Sequence, residues 1–200
     1  MKNSLSKLVL IIAVFLLIPW AVASANPKYG RGLYGRCTYM QCGITITSSG
    51  AVNVDVSPTG SLECTIAGDT ISVLTHSSSG YTLTATNSTT NTSLVSGGNS
   101  IVSTAGTTAS PQTLNNTWGF RVDGLSSMGS GPTTAASNAG PSALTFAGFP
   151  SSAGTPATLA SSAAYNALAI ETKVWIGVCA DTTVASGSYA TTVTYTAVTN

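Results

Sequence analysis

Through most of this chain apolar residues recur at every second position, with hydroxyl residues between them. That period marks a half-buried strand, because successive side chains of an extended backbone point to opposite faces. Val52, Val54 and Val56 alternate with Asn53 and Asp55, and Tyr81 and Leu83 with Thr82 and Thr84. Ile71 and Val73 share a face until Leu74 breaks the alternation, and Trp118, Phe120 and Val122 alternate with Gly119 and Arg121. The longest run is Asn166 to Cys179, with Leu168, Ile170, Val174, Ile176 and Val178 on one face and Trp175 and Cys179 on the other. Tyr189 to Val198 places Tyr189, Val193 and Tyr195 on one side and a row of Thr on the other.

Only 6% of residues are charged, against about 25% in an ordinary soluble domain, and 28 Ser and 31 Thr supply the polarity instead. Threonine suits this role, being β-branched with a hydroxyl that keeps an outward face wet. Turn clusters punctuate the runs: Ser57-Pro58-Thr59-Gly60, Ser77-Ser78-Ser79-Gly80, Ser96-Gly97-Gly98-Asn99 and Ser186-Gly187. The pattern predicts an all-β fold, an antiparallel β-sandwich of Ig-like or jelly-roll type with about 8–10 strands. Ser126 to Ser142 lacks periodicity and reads as a long loop, and the Ala-rich Ser151 to Ala164 as a second loop with room for a helical turn.

Residues 1–25 read as a signal peptide. Lys2 and Lys7 precede the apolar run Leu8 to Ile18, Pro19 breaks it, and Ala23-Ser24-Ala25 suits cleavage before Asn26. Retention as an uncleaved anchor is the alternative, and after cleavage no stable membrane span is expected. The chain then divides into a basic, Tyr/Gly-rich arm over 26–42 and one sandwich domain over 43–200. The arm carries Lys28, Arg31 and Arg36 with no acid, and Arg121 and Lys173 face six carboxylates in the rest. Lys28, Tyr29, Arg31, Tyr34, Arg36 and Tyr39 are the candidate contact residues, of types enriched at interfaces. A net charge of +1 excludes a nucleic-acid binder that works by neutralising phosphates.

Cys37, Cys42, Cys64 and Cys179 all follow the export signal, and an even count there reads as two disulfides. Four cysteines allow three connectivities. If Cys37 and Cys42 close a small loop, Cys64 and Cys179 staple an early strand to a late one, which the chain-entropy model values at about 4–5 kcal/mol. A zinc site is disfavoured by the single His76 and the lack of paired knuckles.

No catalytic, cofactor or metal site is expected. The carboxylates Asp55, Glu63, Asp69, Asp123, Glu171 and Asp181 are scattered singly, whereas a glycosidase places two across one bond. His76 before Ser77 reads as a turn residue, and no nucleophile elbow is present. Trp118 and Trp175 sit in alternating strands and are expected to pack inside; on an exposed face they would stack sugars.

The segments Ser79-Gly80-Tyr81-Thr82-Leu83-Thr84, Asn115-Asn116-Thr117-Trp118-Gly119-Phe120-Arg121-Val122-Asp123-Gly124, Val174-Trp175-Ile176-Gly177-Val178-Cys179 and Thr192-Val193-Thr194-Tyr195-Thr196-Ala197-Val198, with the Tyr/Gly leader, resemble exported β-sandwich surface proteins of bacteria. That group is loosely similar to wall-binding and pilus-type sandwiches. The resemblance implies a secreted, cell-surface location and this fold, and brings no catalytic motif. The expected function is that of a structural or adhesive surface protein, an envelope subunit assembling by addition of the arm or the Tyr189 to Val198 strand to an open sheet edge of a neighbour. Its expected partners are other copies of itself or components of the envelope or host surface. A glycan- or wall-binding module is the alternative, and a secreted hydrolase the weakest.

Overall fold

A computed structural model describes residues 43–200, so the expected signal peptide, the expected arm with its candidate contact residues, Cys37 and Cys42 lie outside the described residues. The alternating runs become strands: β1 (Ile44–Ser48), β2 (Glu63–Thr75), β3 (Tyr81–Asn87), β4 (Leu94–Ser96), β5 (Asn99–Ser103), β6 (Thr117–Val122), β7 (Ala136–Ala139), β8 (Ala157–Ser162), β9 (Ile170–Ala180) and β10 (Val193–Thr199). They form two sheets. Seven strands follow the order β1-β2-β9-β6-β5-β4 with β7 also on β2, and three follow β10-β3-β8.

The pairing is antiparallel with one exception. β5 runs parallel to β6, Val102 opposite Thr117 and Ser103 opposite Trp118, which corrects the expectation of a purely antiparallel arrangement. The reason lies in the tight β4–β5 hairpin. Ser96 opposes Asn99 across Gly97-Gly98, and Gly97 takes φ 58°, the left-handed conformation a II′ turn demands at its first central residue. Once that hairpin reverses the chain, 13 residues separate β5 from β6 (residues 104–116), enough to bring the chain back alongside.

The side-chain period decides what each face touches. Ile71 and Val73 of β2, Val174, Ile176 and Val178 of β9, and Trp118, Phe120 and Val122 of β6 share one face of the large sheet. They pack in one core with Tyr81, Leu83 and Ala85 of β3 and Leu159 of β8, so the two sheets share a hydrophobic interior. β3 alternates strictly between buried and half-buried residues, as its sequence demands.

The opposite face of the large sheet is covered as well, over one end. Gly119 of β6 and Gly177 of β9 are directly opposed, leaving a floor without side chains. Phe146 and Leu114 fill it: a Cβ at Gly177 would stand 2.6 Å from the Phe146 ring and 2.9 Å from Leu114 Cδ1. Cys64, Ile66, Trp175 and Cys179 complete this second cluster. Cys64 and Cys179 are register partners on β2 and β9 and form a disulfide, 115 positions apart in the chain.

Five segments depart from expectation. Val52, Val54 and Val56 do turn toward the core, but their segment joins no ladder; the Asp55 carbonyl accepts a hydrogen bond from Thr65 Oγ1 instead. Leu168 is not on a core face: it is 81% exposed, and β9 starts only at Ile170. The last run pairs from Val193 rather than Tyr189. Both supposed loops contain strands, β7 within 126–142 and β8 within 151–164, because neighbouring strands supply main-chain partners that local pattern does not announce.

Candidate interaction surface

Four of the six described carboxylates are fastened locally. Asp69 is buried on the inward face of β2 and accepts from Ser48 Oγ (2.8 Å), Ser49 N (3.0 Å) and Ser49 Oγ (2.6 Å), which ties down the end of β1. Glu63 accepts from Thr59 Oγ1 (2.7 Å), and Asp123 from the Gly131 amide (2.7 Å). Asp181 clasps a turn: it accepts from the Thr183 hydroxyl and amide and from Asn116 Nδ2 (2.9 Å), while its own amide donates to Asn116 Oδ1 (2.8 Å). These bonds hold its carboxyl below the usual aspartate range, Thr183 contributing most. Such an arrangement pins loops. Among the described residues no three of His, Cys, Asp and Glu cluster as a metal site would need.

The two cations are also committed. Arg121 is 1% exposed and lies on the outward face of β6, beside Trp175. Its guanidinium donates to the carbonyls of Ser130 (2.8 Å), Thr145 (2.9 Å) and Gly131, and so staples the 123–145 excursion onto the sheet. Burial lowers its pKa, an effect that nearby Asp123 opposes. Lys173 Nζ lies 5.3 Å from the Trp175 ring centroid and donates to Thr70 Oγ1. With Asp69 and Arg121 buried, the outer charge of the described residues is Asp55, Glu63, Asp123, Glu171 and Asp181 against Lys173.

Both indoles are inside, Trp118 at 1% and Trp175 at 6% exposure, so neither presents a face on which a sugar stacks. Trp118 Nε1 donates to the Thr92 carbonyl (3.0 Å) and its ring lies against Phe149. His76 closes the end of β2, its amide on the Gly43 carbonyl and its ring 5.8 Å from that of Tyr165. Asn87 is wholly buried, with Thr191 donating to its Oδ1. A broad cleft of about 440 Å³ lies beside Cys64 and Ile66, walled by Thr133, Thr134, Ser142 and Leu144 of the stapled excursion.

What the surface does offer is strand edge. The Ser88 amide on the Thr192 carbonyl and the Asn200 amide on the Gly80 carbonyl fix the ladder phase between β10 and β3. Thr194, Thr196 and Val198 therefore turn their main-chain groups toward β3, and Val193, Tyr195, Ala197 and Thr199 turn theirs outward. Among the described residues those outward groups meet no hydrogen-bond partner. β10 keeps unbroken register with β3 over seven residues and has no charged side chain and no proline. Tyr195 anchors it from within: burial, and secondarily Asp69, raise its phenol pKa far above the ordinary value.

The other edges are shorter or guarded. β4 is capped where Val95 and Ala190 exchange amide–carbonyl bonds of 3.0 Å each. β8 carries a register shift opposite Leu83 and Thr84, a bulge of the kind that blunts an edge. Asn138 of β7 is bound through its amide group to both main-chain groups of Ser57. β1 is only five residues long and comes close to β10. The β10 edge lies in the Tyr189 to Val198 run, the segment that the sequence offers, beside the arm, for addition to a neighbour's sheet.

No helix among the described residues is long and apolar enough to cross a membrane, and the disulfide suits an oxidising compartment. No family model, curated protein or solved structure matches the chain.

Proposed function

We propose that this chain is an exported, non-enzymatic surface protein that makes structural or adhesive contacts by strand addition, its two sheets forming a sandwich of the Ig-like or jelly-roll kind. The observation that carries the reading is the seven-residue, uncharged outer edge of β10, whose main-chain groups are unpaired among the described residues. Main-chain pairing needs no charged side chain, which fits a molecule in which 6% of residues are charged. The disulfide supports the export reading. The arm's Lys28, Arg31 and Arg36 complement an outer surface rich in acids, a second means of holding copies together or to the envelope. The likeness to exported bacterial surface sandwiches belongs to the same proposal.

The test is fractionation and electron microscopy of producing cells, with sedimentation of the purified chain lacking residues 1–25. Surface-retained, self-associating protein is expected. A product released to the medium that stays monomeric up to about millimolar concentration, with retention unchanged by deleting 26–42, overturns it.

A further inference from the structure

We propose that β10 pairs antiparallel with β10 of a second copy about a two-fold axis through Thr196, joining the two three-stranded sheets into one. This rests on the strand-addition reading and names its acceptor, partner and register.

The ladder phase makes this edge self-complementary. Its outward main-chain groups belong to Val193, Tyr195, Ala197 and Thr199. An axis at Thr196 sets Tyr195 against Ala197 of the second copy and Val193 against Thr199 of the second copy. Odd residues then meet odd residues, and each such pair exchanges both main-chain hydrogen bonds. The even residues fall into the close, non-hydrogen-bonded positions: Thr196 meets its own equivalent, and Thr194 meets Val198 of the second copy. Val198 is 52% exposed in the single chain, and this register gives its side chain a threonine neighbour.

Charge permits the approach. Identical strands paired about a two-fold bring like charges together, which penalises most edges. β10 carries no charged side chain to oppose. The capped β4 and bulged β8 cannot offer an equal run.

The protein already shows what a cross-strand pair of this kind does with sulfur. Cys64 and Cys179 face each other on antiparallel strands with Cα atoms 4.1 Å apart, and are bonded. Non-hydrogen-bonded partners such as the two Thr196 residues lie at about 4.5 Å. Thr196→Cys is therefore expected to give a disulfide-linked dimer on a non-reducing gel under mild oxidation, in most of the chain. Thr194→Cys alone and Val198→Cys alone are expected to stay monomeric, and an equal mixture of the two to cross-link.

A second variant probes the hydrogen bonds. Ala197→Pro removes an amide that points away from β3, so the ladder within the chain is spared while the pairing to the second copy loses a donor on each side. It is expected to abolish the Thr196→Cys cross-link while leaving the circular dichroism spectrum unchanged. Self-association of the unmodified protein without a Thr196→Cys cross-link overturns this register and leaves strand addition standing. Thr194→Cys alone linking as well as Thr196→Cys also overturns it. Absence of both association and cross-link defeats the inference together with the functional reading.

Discussion

Replacing Gly177 by alanine tests the idea that two opposed glycines create the floor on which the second hydrophobic cluster is built. The new methyl would lie 2.6 and 2.8 Å from Phe146 Cε1 and Cζ and 2.9 Å from Leu114 Cδ1. Carbon atoms settle at about 3.5–4.0 Å, so the ring must retreat by close to 1 Å. It cannot do so freely, because the Phe146 amide and carbonyl are both bonded to Gln112, at 2.7 and 2.9 Å. Overpacking of this kind costs about 1–3 kcal/mol. Stiffening the unfolded chain returns about 0.4–1 kcal/mol. The expected net loss is therefore about 1–2 kcal/mol, read as a lower urea midpoint at unchanged slope. Phe146→Leu removes the ring atoms at issue, so in that background the cost of Gly177→Ala should shrink by about 1 kcal/mol. A Gly177→Ala protein as stable as the original, or strict additivity of the two changes, would refute the argument.

Three further outcomes follow from the same structure. Replacing Cys64 and Cys179 by serine releases a loop of 115 residues, for which the chain-entropy model gives a loss of about 5 kcal/mol, measurable by denaturant titration. Arg121→Met leaves the carbonyls of Ser130, Gly131 and Thr145 without their donor; a loss of about 2–4 kcal/mol is expected, with faster amide exchange across residues 123–145. The phenol of Tyr195 is raised in the folded state by burial and by Asp69, so its contribution is fully present below the ordinary tyrosine pKa near 10 and declines as pH rises above it. Tyr195→Phe should flatten that alkaline decline, and an identical pH profile for the two proteins would contradict the assignment.

Local sequence made the strands legible where one face meets the core and the other meets water. β3 is the clearest case, with Tyr81, Leu83 and Ala85 inward and Thr82, Thr84 and Thr86 outward. The doubly covered second half of β9 was legible too, since Trp175 and Cys179 stand opposite Val174, Ile176 and Val178. Alternation failed in both directions elsewhere. Val52 to Val56 has the pattern and no ladder, whereas Ala157 to Ser162 has little pattern and is β8. Pairing requires a neighbour, and a neighbour is not a local property.

The chain by itself determined that extended segments would dominate, which residues of each would face inward, and that hydroxyls would take the place of charge, because all three depend on side-chain period and composition. Tertiary structure alone decided that β5 would run parallel to β6, that Phe146 and Leu114 would occupy the floor left by Gly119 and Gly177, and that Arg121 would hold an excursion by its carbonyls. It alone also decided that one side of β10 would have no main-chain partner among the described residues. These outcomes hang on which strands lie side by side, a matter of contacts between residues far apart along the chain.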